Sequence, residues 1–190
     1  VVRREGPLPL DRAIPVLVQV CGALQEAHSQ GIIHRDLKPE NIFLSTNGGL
    51  KDYAKVLDFG LAKVTERELR PGSIMLTQEG MVFGTPEFMS PEQAAGSRGE
   101  VGPASDVYSL GAILYHCLTG RLPFESEALG DLLVRIIVNP IPVPSTVAAV
   151  PPGFDRWWAR AADRNPDNRF QTAKDFGNEL ALALGTTATD

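Results

Sequence analysis

The stretch from Val107 to Leu118 sets Val107, Leu110, Leu114, Cys117 and Leu118 at helical spacing, with few charges on any face, and Gly120 stops it. A helix that is apolar almost all round has no face to give to water, so other elements must enclose it. The chain has 190 residues, of which 43% are hydrophobic and 22% charged. That is long enough to build the enclosure without disulfide staples, and too apolar for a disordered or collagenous chain. The formal net charge is −5. No global basic field therefore exists to hold nucleic acid or an anionic membrane, and any phosphate chemistry must use local charges.

Cys21 and Cys117 are far apart, form no CxxC pair and sit in apolar stretches, so they read as small core hydrophobes. The three histidines, His28, His34 and His116, do not complete a zinc site with them. Reducing cytosol is the expected compartment. The longest mainly apolar stretch, Ile14 to Leu24, is interrupted by Gln19 and is too short to span a bilayer. The chain opens on Val1 rather than methionine, with nothing like a signal peptide after it, and is expected to be a piece of a longer protein.

Ile14, Leu17, Val18, Cys21 and Leu24 follow the i, i+3, i+4, i+7 pattern, and Gly31 ends it, which predicts a helix from about Leu10 to Ser29. Short β-type runs follow at Ile32-Ile33, Ile42-Phe43-Leu44 and Val56-Leu57, with a turn at Asn47-Gly48-Gly49. Residues 61 to 92 show no sustained period and predict a long loop. Beyond the buried helix, Leu132 to Val138, Phe154 to Ala162 and Thr172 to Leu184 predict three more helices. A Pro-rich connector through Pro152 and the Asn165-Pro166-Asp167 turn separate them, and residues 185–190 read as a tail.

The polar loop between the first two runs is His34-Arg35-Asp36-Leu37-Lys38-Pro39-Glu40-Asn41, and the third run leads into Asp58-Phe59-Gly60. Gly84-Thr85-Pro86-Glu87 and Ser90-Pro91-Glu92 come next, then Asp106 and Arg169. This ordered set resembles the eukaryotic-type serine/threonine protein kinases: their catalytic loop, their metal-binding motif, and the segment that closes their activation loop. Lys38 after Leu37 fits the serine/threonine branch, and the string from Gly84 to Ala94 resembles bacterial members. The resemblance implies an α+β, mostly α fold, the C-terminal lobe of a protein kinase over residues 1–184, with short β-strands around the catalytic loop. A Gly-rich phosphate loop, a strand lysine and its partner glutamate are absent before residue 34. The family's β-rich N-terminal lobe is thus expected upstream, as a partner in cis.

The residue chemistry agrees with the resemblance. Phosphoryl transfer from ATP needs an oriented nucleophile and neutralised phosphate charge. Asp36 can accept the proton of a substrate hydroxyl. Lys38 can aim an ammonium group at the transferring phosphoryl group. The carbonyl oxygen of Asn41 and the carboxylate of Asp58 are the hard oxygen donors that Mg²⁺ prefers, with Mn²⁺ as an alternative. The expected catalytic residues are therefore Asp36 and Lys38. Lys38, Asn41 and Asp58 are expected to bind ATP, and Asn41 and Asp58 the metal.

Other roles come from the resemblance alone. It makes His34 a packed structural partner of Phe59, has Gly60 free the backbone after Asp58, ties Asp106 to the catalytic-loop backbone and joins Glu92 to Arg169 in a buried ion pair. It assigns Arg35 to a phosphate on the activation loop, for which Thr65, Ser73, Thr77 and Thr85 are candidates. Thr77 is the favoured regulatory acceptor, and Thr85 is given a structural role beside the base. Glu40 is a candidate contact for a basic substrate residue. His28 and His116 have no motif context and read as ordinary helix residues.

The first functional reading is an ATP-dependent protein serine/threonine kinase acting on protein substrates, on the cytosolic side. A pseudokinase scaffold and a helical interaction module are the alternatives, disfavoured by the intact Asp36, Lys38, Asn41 and Asp58. Residues 1–190 alone are expected to be catalytically silent, offering only a floor on which Lys38, Asn41 and Asp58 face solvent.

Overall fold

The computed structural model describes residues 6–59 and 86–185. Gly60, Thr65, Ser73, Thr77, Gly84 and Thr85 lie outside the described residues, as do the first five and last five residues of the chain.

The enclosed helix is α3, Pro103–Thr119. (The elements before it are α1, Leu10–Ser29, the strands β1, Ile42–Asn47, and β2, Leu50–Val56, and the one-turn helix α2, Pro91–Ala94.) Every residue of α3 from Ser105 to Tyr115 is buried. Pro103 starts it, where a missing N–H costs nothing, and Gly120 ends it in the left-handed conformation at φ 71°, its N–H returning to His116.

Against α3 stand α5, Phe154–Ala161, and α6, Ala173–Ala183, while α4, Leu129–Val138, packs on α2 through a separate small cluster of Leu132, Ile136 and Phe124. Gly111 lets α5 approach closely: a Cβ built there would lie 3.3 Å from the Ala161 Cβ and 3.4 Å from the Trp158 ring. The other contact of α5 and α6 is aromatic. Trp157 meets Phe176 edge-on at 4.6 Å and stacks on Phe154 at 5.5 Å, while Phe170 meets Phe176 at 5.8 Å. Both indole N–H groups find acceptors, Trp157 on the Phe176 carbonyl and Trp158 on that of Pro142, as large buried rings with one polar atom require.

α1 buries Ala13, Leu17, Val20, Cys21 and Leu24 against this core. The antiparallel hairpin of β1 and β2 pairs Ile42 with Val56 and Leu44 with Ala54. Its turn places Gly48 and Gly49 at φ 55° and 87°, the positive angles that a tight hairpin turn of the right twist demands. The hairpin is held to α1 by a two-pronged Arg12–Asp52 ion pair, at 2.9 and 3.0 Å, and by Gln19, which bonds the backbone of both Asp52 and Ala54. Among the described residues no helix is long and apolar enough to cross a membrane.

Three sequence expectations change. Ile32-Ile33 is not a strand, because the Ile32 N–H is spent on the Ala27 carbonyl at the end of α1 and the His34 N–H on Asp106, which leaves no ladder to join. The third β-run begins at Leu50 rather than Val56, since the hairpin turn extends pairing back to Asn47↔Leu50. The end of the expected long loop is ordered, with a 3₁₀ turn at Pro86–Phe88 followed by α2.

Candidate active site

The loop between α1 and β1 is shaped by buried anchors. Leu37 is inserted in the core and His34 is fully enclosed. The His34 Nε2 donates to the Leu57 carbonyl at 2.8 Å, while Nδ1 accepts the Asp36 N–H at 3.3 Å, so the ring is held as a neutral tautomer with both nitrogens used. Its face meets Phe59 at 4.9 Å. One ring thus links the backbone of Asp36 to the peptide just before Asp58.

Asp106, at the start of α3, grips the same loop. Its Oδ2 accepts the His34 N–H and its Oδ1 the Arg35 N–H, both at 2.9 Å. Arg35 has φ 69° and Asp58 φ 63°. Non-glycine residues seldom adopt this left-handed region; Arg35 is held there by its bond to Asp106, and the peptide preceding Asp58 is tied to His34.

A third donor to Asp106 is His28, whose Nε2 lies 2.7 Å from Oδ2 with both side chains buried. The reading of His28 as an ordinary helix residue is therefore corrected: it is the α1 end of the clamp on the loop of residues 34–41. His116 is half-buried and meets Phe88 edge-on at 6.2 Å.

The chemistry-bearing groups converge at the loop's outer side. Lys38 Nζ lies 2.8 Å from Asp36 Oδ2, with the carboxylate side chain 54% exposed and the lysine 16%. A 3₁₀ turn, Pro39–Asn41, carries the chain into β1, and the Asn41 Nδ2 donates to the Asp36 carbonyl at 2.8 Å. That bond uses the amide nitrogen of Asn41 and leaves its side-chain oxygen, Oδ1, outside it. The Leu57 N–H bonds the main-chain carbonyl of Asn41 at 2.8 Å, which sets Asp58 beside Asn41 across the hairpin base. Asp58 is exposed. The expectation that Lys38 and Asn41 face solvent is corrected: Asn41 is buried by its bond to the loop, and Lys38 is paired.

Sequence reading did not name the exposed apolar residues at this site. Phe43 and Leu57 are 55% and 43% exposed, and Phe43 lies on the outward face of β1, paired across the hairpin with Lys55. The signal was present in Phe43, an aromatic residue on the outward side of a strand whose inward side carries Ile42 and Leu44.

Glu92 and Arg169 form the second constellation. The guanidinium meets the carboxylate in two parallel bonds of 2.8 and 2.7 Å, and its remaining N–H groups go to the carbonyls of Asp163, Ala104 and Arg164. Ser105 Oγ adds a 2.5 Å bond to Glu92. Burial pushes the Glu92 carboxyl up, but the hydrogen bonds from Arg169 and Ser105 and the arginine's charge outweigh it and hold the group below its ordinary range. Burial also pushes the thiols up, Cys21 to about 12 and Cys117 to about 11, so neither is a ready nucleophile.

Residues 1–163, which contain the loop presenting Asp36, Lys38 and Asn41 beside Asp58, match the protein kinase domain family. The chain belongs to that family. It is 45% identical over 179 residues to the serine/threonine-protein kinase Pkn1 of Myxococcus xanthus, covering 94% of this chain and 25% of that protein. It is 37% identical to the serine/threonine-protein kinase PknH of Mycobacterium tuberculosis, covering all of this chain and 28% of that protein. The crystal structure of Rad53 1-466 in complex with AMP-PNP superposes with a TM-score of 0.70 at 27% identity, over 94% of this chain and 42% of the other. The chain thus spans between a quarter and a third of these two curated relatives.

Proposed function

We propose that this chain is the catalytic-loop lobe of a protein serine/threonine kinase, which transfers the γ-phosphoryl group of ATP to serine or threonine hydroxyls of protein substrates. The observation that carries the reading is the coupling of Asp36, Lys38 and Asn41 within one loop, locked through Leu57 to the peptide preceding Asp58. Asp36 orients the substrate hydroxyl and takes its proton; the exposed carboxylate can reach an incoming side chain. Lys38, already at the Asp36 carboxylate, is placed to follow charge onto the phosphoryl group.

The donor set suits a divalent cation of the Mg²⁺ type. Asn41 has a carbonyl oxygen left over and Asp58 a solvent-facing carboxylate, and among the described residues no cluster of three or more His, Cys, Asp or Glu side chains builds a closed metal cage. Two hard oxygen ligands leave positions for water and phosphate oxygens. Bound there, the ion would neutralise phosphate charge. The exposed Phe43 and Leu57 offer a flat apolar seat to a base on the same side. The clamp over the phosphates, a Gly-rich loop with its lysine, is proposed to come from an N-terminal lobe of the full protein.

The test is Asp36→Asn in the full protein. Radiolabel transfer to a protein substrate should fall at least about 10²-fold, with nucleotide binding retained because the amide keeps the side chain's shape. Transfer within about tenfold of the parent would remove Asp36 from the role of base.

A further inference from the structure

Arg35 immediately precedes the proposed base and holds a left-handed backbone, so the direction in which Asp36 leaves the loop depends on how firmly the Arg35 peptide groups are fixed. Its N–H is taken by Asp106 Oδ1 at 2.9 Å. Its carbonyl is taken by Gln93, whose Nε2 donates at 2.6 Å across 58 residues of sequence. The other end of the same amide accepts the Ser90 N–H at 3.2 Å and the Ser90 hydroxyl at 3.0 Å. Only one orientation of the amide serves both sides, because the Arg35 carbonyl can only accept and the Ser90 N–H can only donate.

Gln93 does not float. It sits on α2 next to Glu92, whose two bonds to Arg169 fasten that helix to the carbonyls of Asp163, Ala104 and Arg164. A continuous series of bonds therefore runs from the rigid helical core through Glu92 and Gln93 to the Arg35 carbonyl, one residue from Asp36. The interior end of the series is buried, while the outer end is half-buried.

From this geometry we infer that Gln93 is a positioning residue for phosphotransfer: its side-chain amide fixes the Arg35 carbonyl and with it the angle of Asp36. The inference rests on the kinase reading above. It assigns to α2 a part in aligning the base beyond closing its own helix end. A shift of the carboxylate by an ångström costs rate and not nucleotide affinity, since Gln93 touches no group proposed to hold ATP.

The experiment is steady-state kinetics of the full protein with Gln93→Met, which keeps the length and removes both polar ends, and with Gln93→Glu, which keeps the acceptor and loses the donor. In both, kcat should fall about 10- to 100-fold while KM for ATP stays within about twofold. An unchanged kcat, or a loss of kcat and ATP affinity together with a lower melting transition, overturns the assignment. Ser90→Ala removes one bond to Gln93 while sparing the fold, and a smaller kcat loss at constant KM is expected if the bulkier changes prevent folding. Hydrogen exchange of the Arg35 and Asp36 amides separates the two readings: a parent without phosphotransfer defeats the kinase proposal. Unchanged protection in Gln93→Met defeats the tie.

Discussion

Two carboxylate–cation pairs of nearly equal length stand in opposite surroundings in this molecule. Glu92–Arg169 spans 2.7 Å with side chains 2% and 0% exposed, and Asp36–Lys38 spans 2.8 Å with 54% and 16%. In the first, every guanidinium N–H has an acceptor and the carboxylate also receives Ser105, so neither partner has anywhere else to go. In the second, more than half of the carboxylate side chain is exposed, so it is open to partners other than its lysine. Distance alone does not separate a pair that holds a fold together from one poised for chemistry; the number of alternative partners does.

The largest test of this contrast removes one buried partner. Arg169→Met should destabilise the domain by about 3–5 kcal/mol, because it strands a carboxylate in the interior, whereas a double replacement of Glu92 and Arg169 by apolar residues should recover much of that loss. Urea denaturation of the three variants checks it. Equal losses in single and double variants would mean that packing, not the stranded charge, sets the cost.

Acid should act on the same pair. The folded state holds the Glu92 carboxyl below its ordinary value of 4.5, so as pH falls the unfolded chain takes up the proton first. The group's contribution is therefore fully present above about pH 4.5 and is lost as pH drops through the lower folded value. Denaturation midpoints between about pH 6 and pH 3 should fall less steeply in Glu92→Gln than in the parent. Parallel slopes would contradict the asymmetry.

The smallest expected change in stability is at the open pair. Lys38→Met should alter unfolding by no more than about 1 kcal/mol, since a partly solvated pair is screened and entropically loose, while phosphotransfer by the full protein drops at least about tenfold. A stability loss approaching that of Arg169→Met would erase the distinction between the pairs.

Much of the fold was legible one element at a time. The helix predicted over Leu10–Ser29 is α1 to the residue, because its apolar spacing and the Gly31 stop act within a few turns of chain. The all-round apolar character of residues 107–118 required a central helix, and α3 is enclosed as that pattern demands. The order of Asp36, Lys38, Asn41 and Asp58 was equally plain, since a motif is by nature local. Composition could not show the partners of these residues. His28 meets Asp106 across 78 residues, and Gln93 meets Arg35 across 58. Neither a lone histidine near a helix end nor a glutamine in the first turn of a short helix carries any periodic or spacing signal for such a bond.

The same division explains Ile32-Ile33. Their β-branched chemistry is real, yet their backbone groups are claimed by the end of α1 and by Asp106 before any strand can pair with them. Residue type and spacing settled which segments are helical and which helix lies at the centre, and marked the candidates for phosphoryl chemistry, because those properties depend on neighbours within a few positions. The packing of α3 against the loop settled the rest: which carboxylate is locked and which is left open, and what holds Arg35 in a backbone conformation it would not adopt alone. Those outcomes follow from hydrogen bonds between residues far apart in the chain, whose donors and acceptors meet only after the core has closed around them.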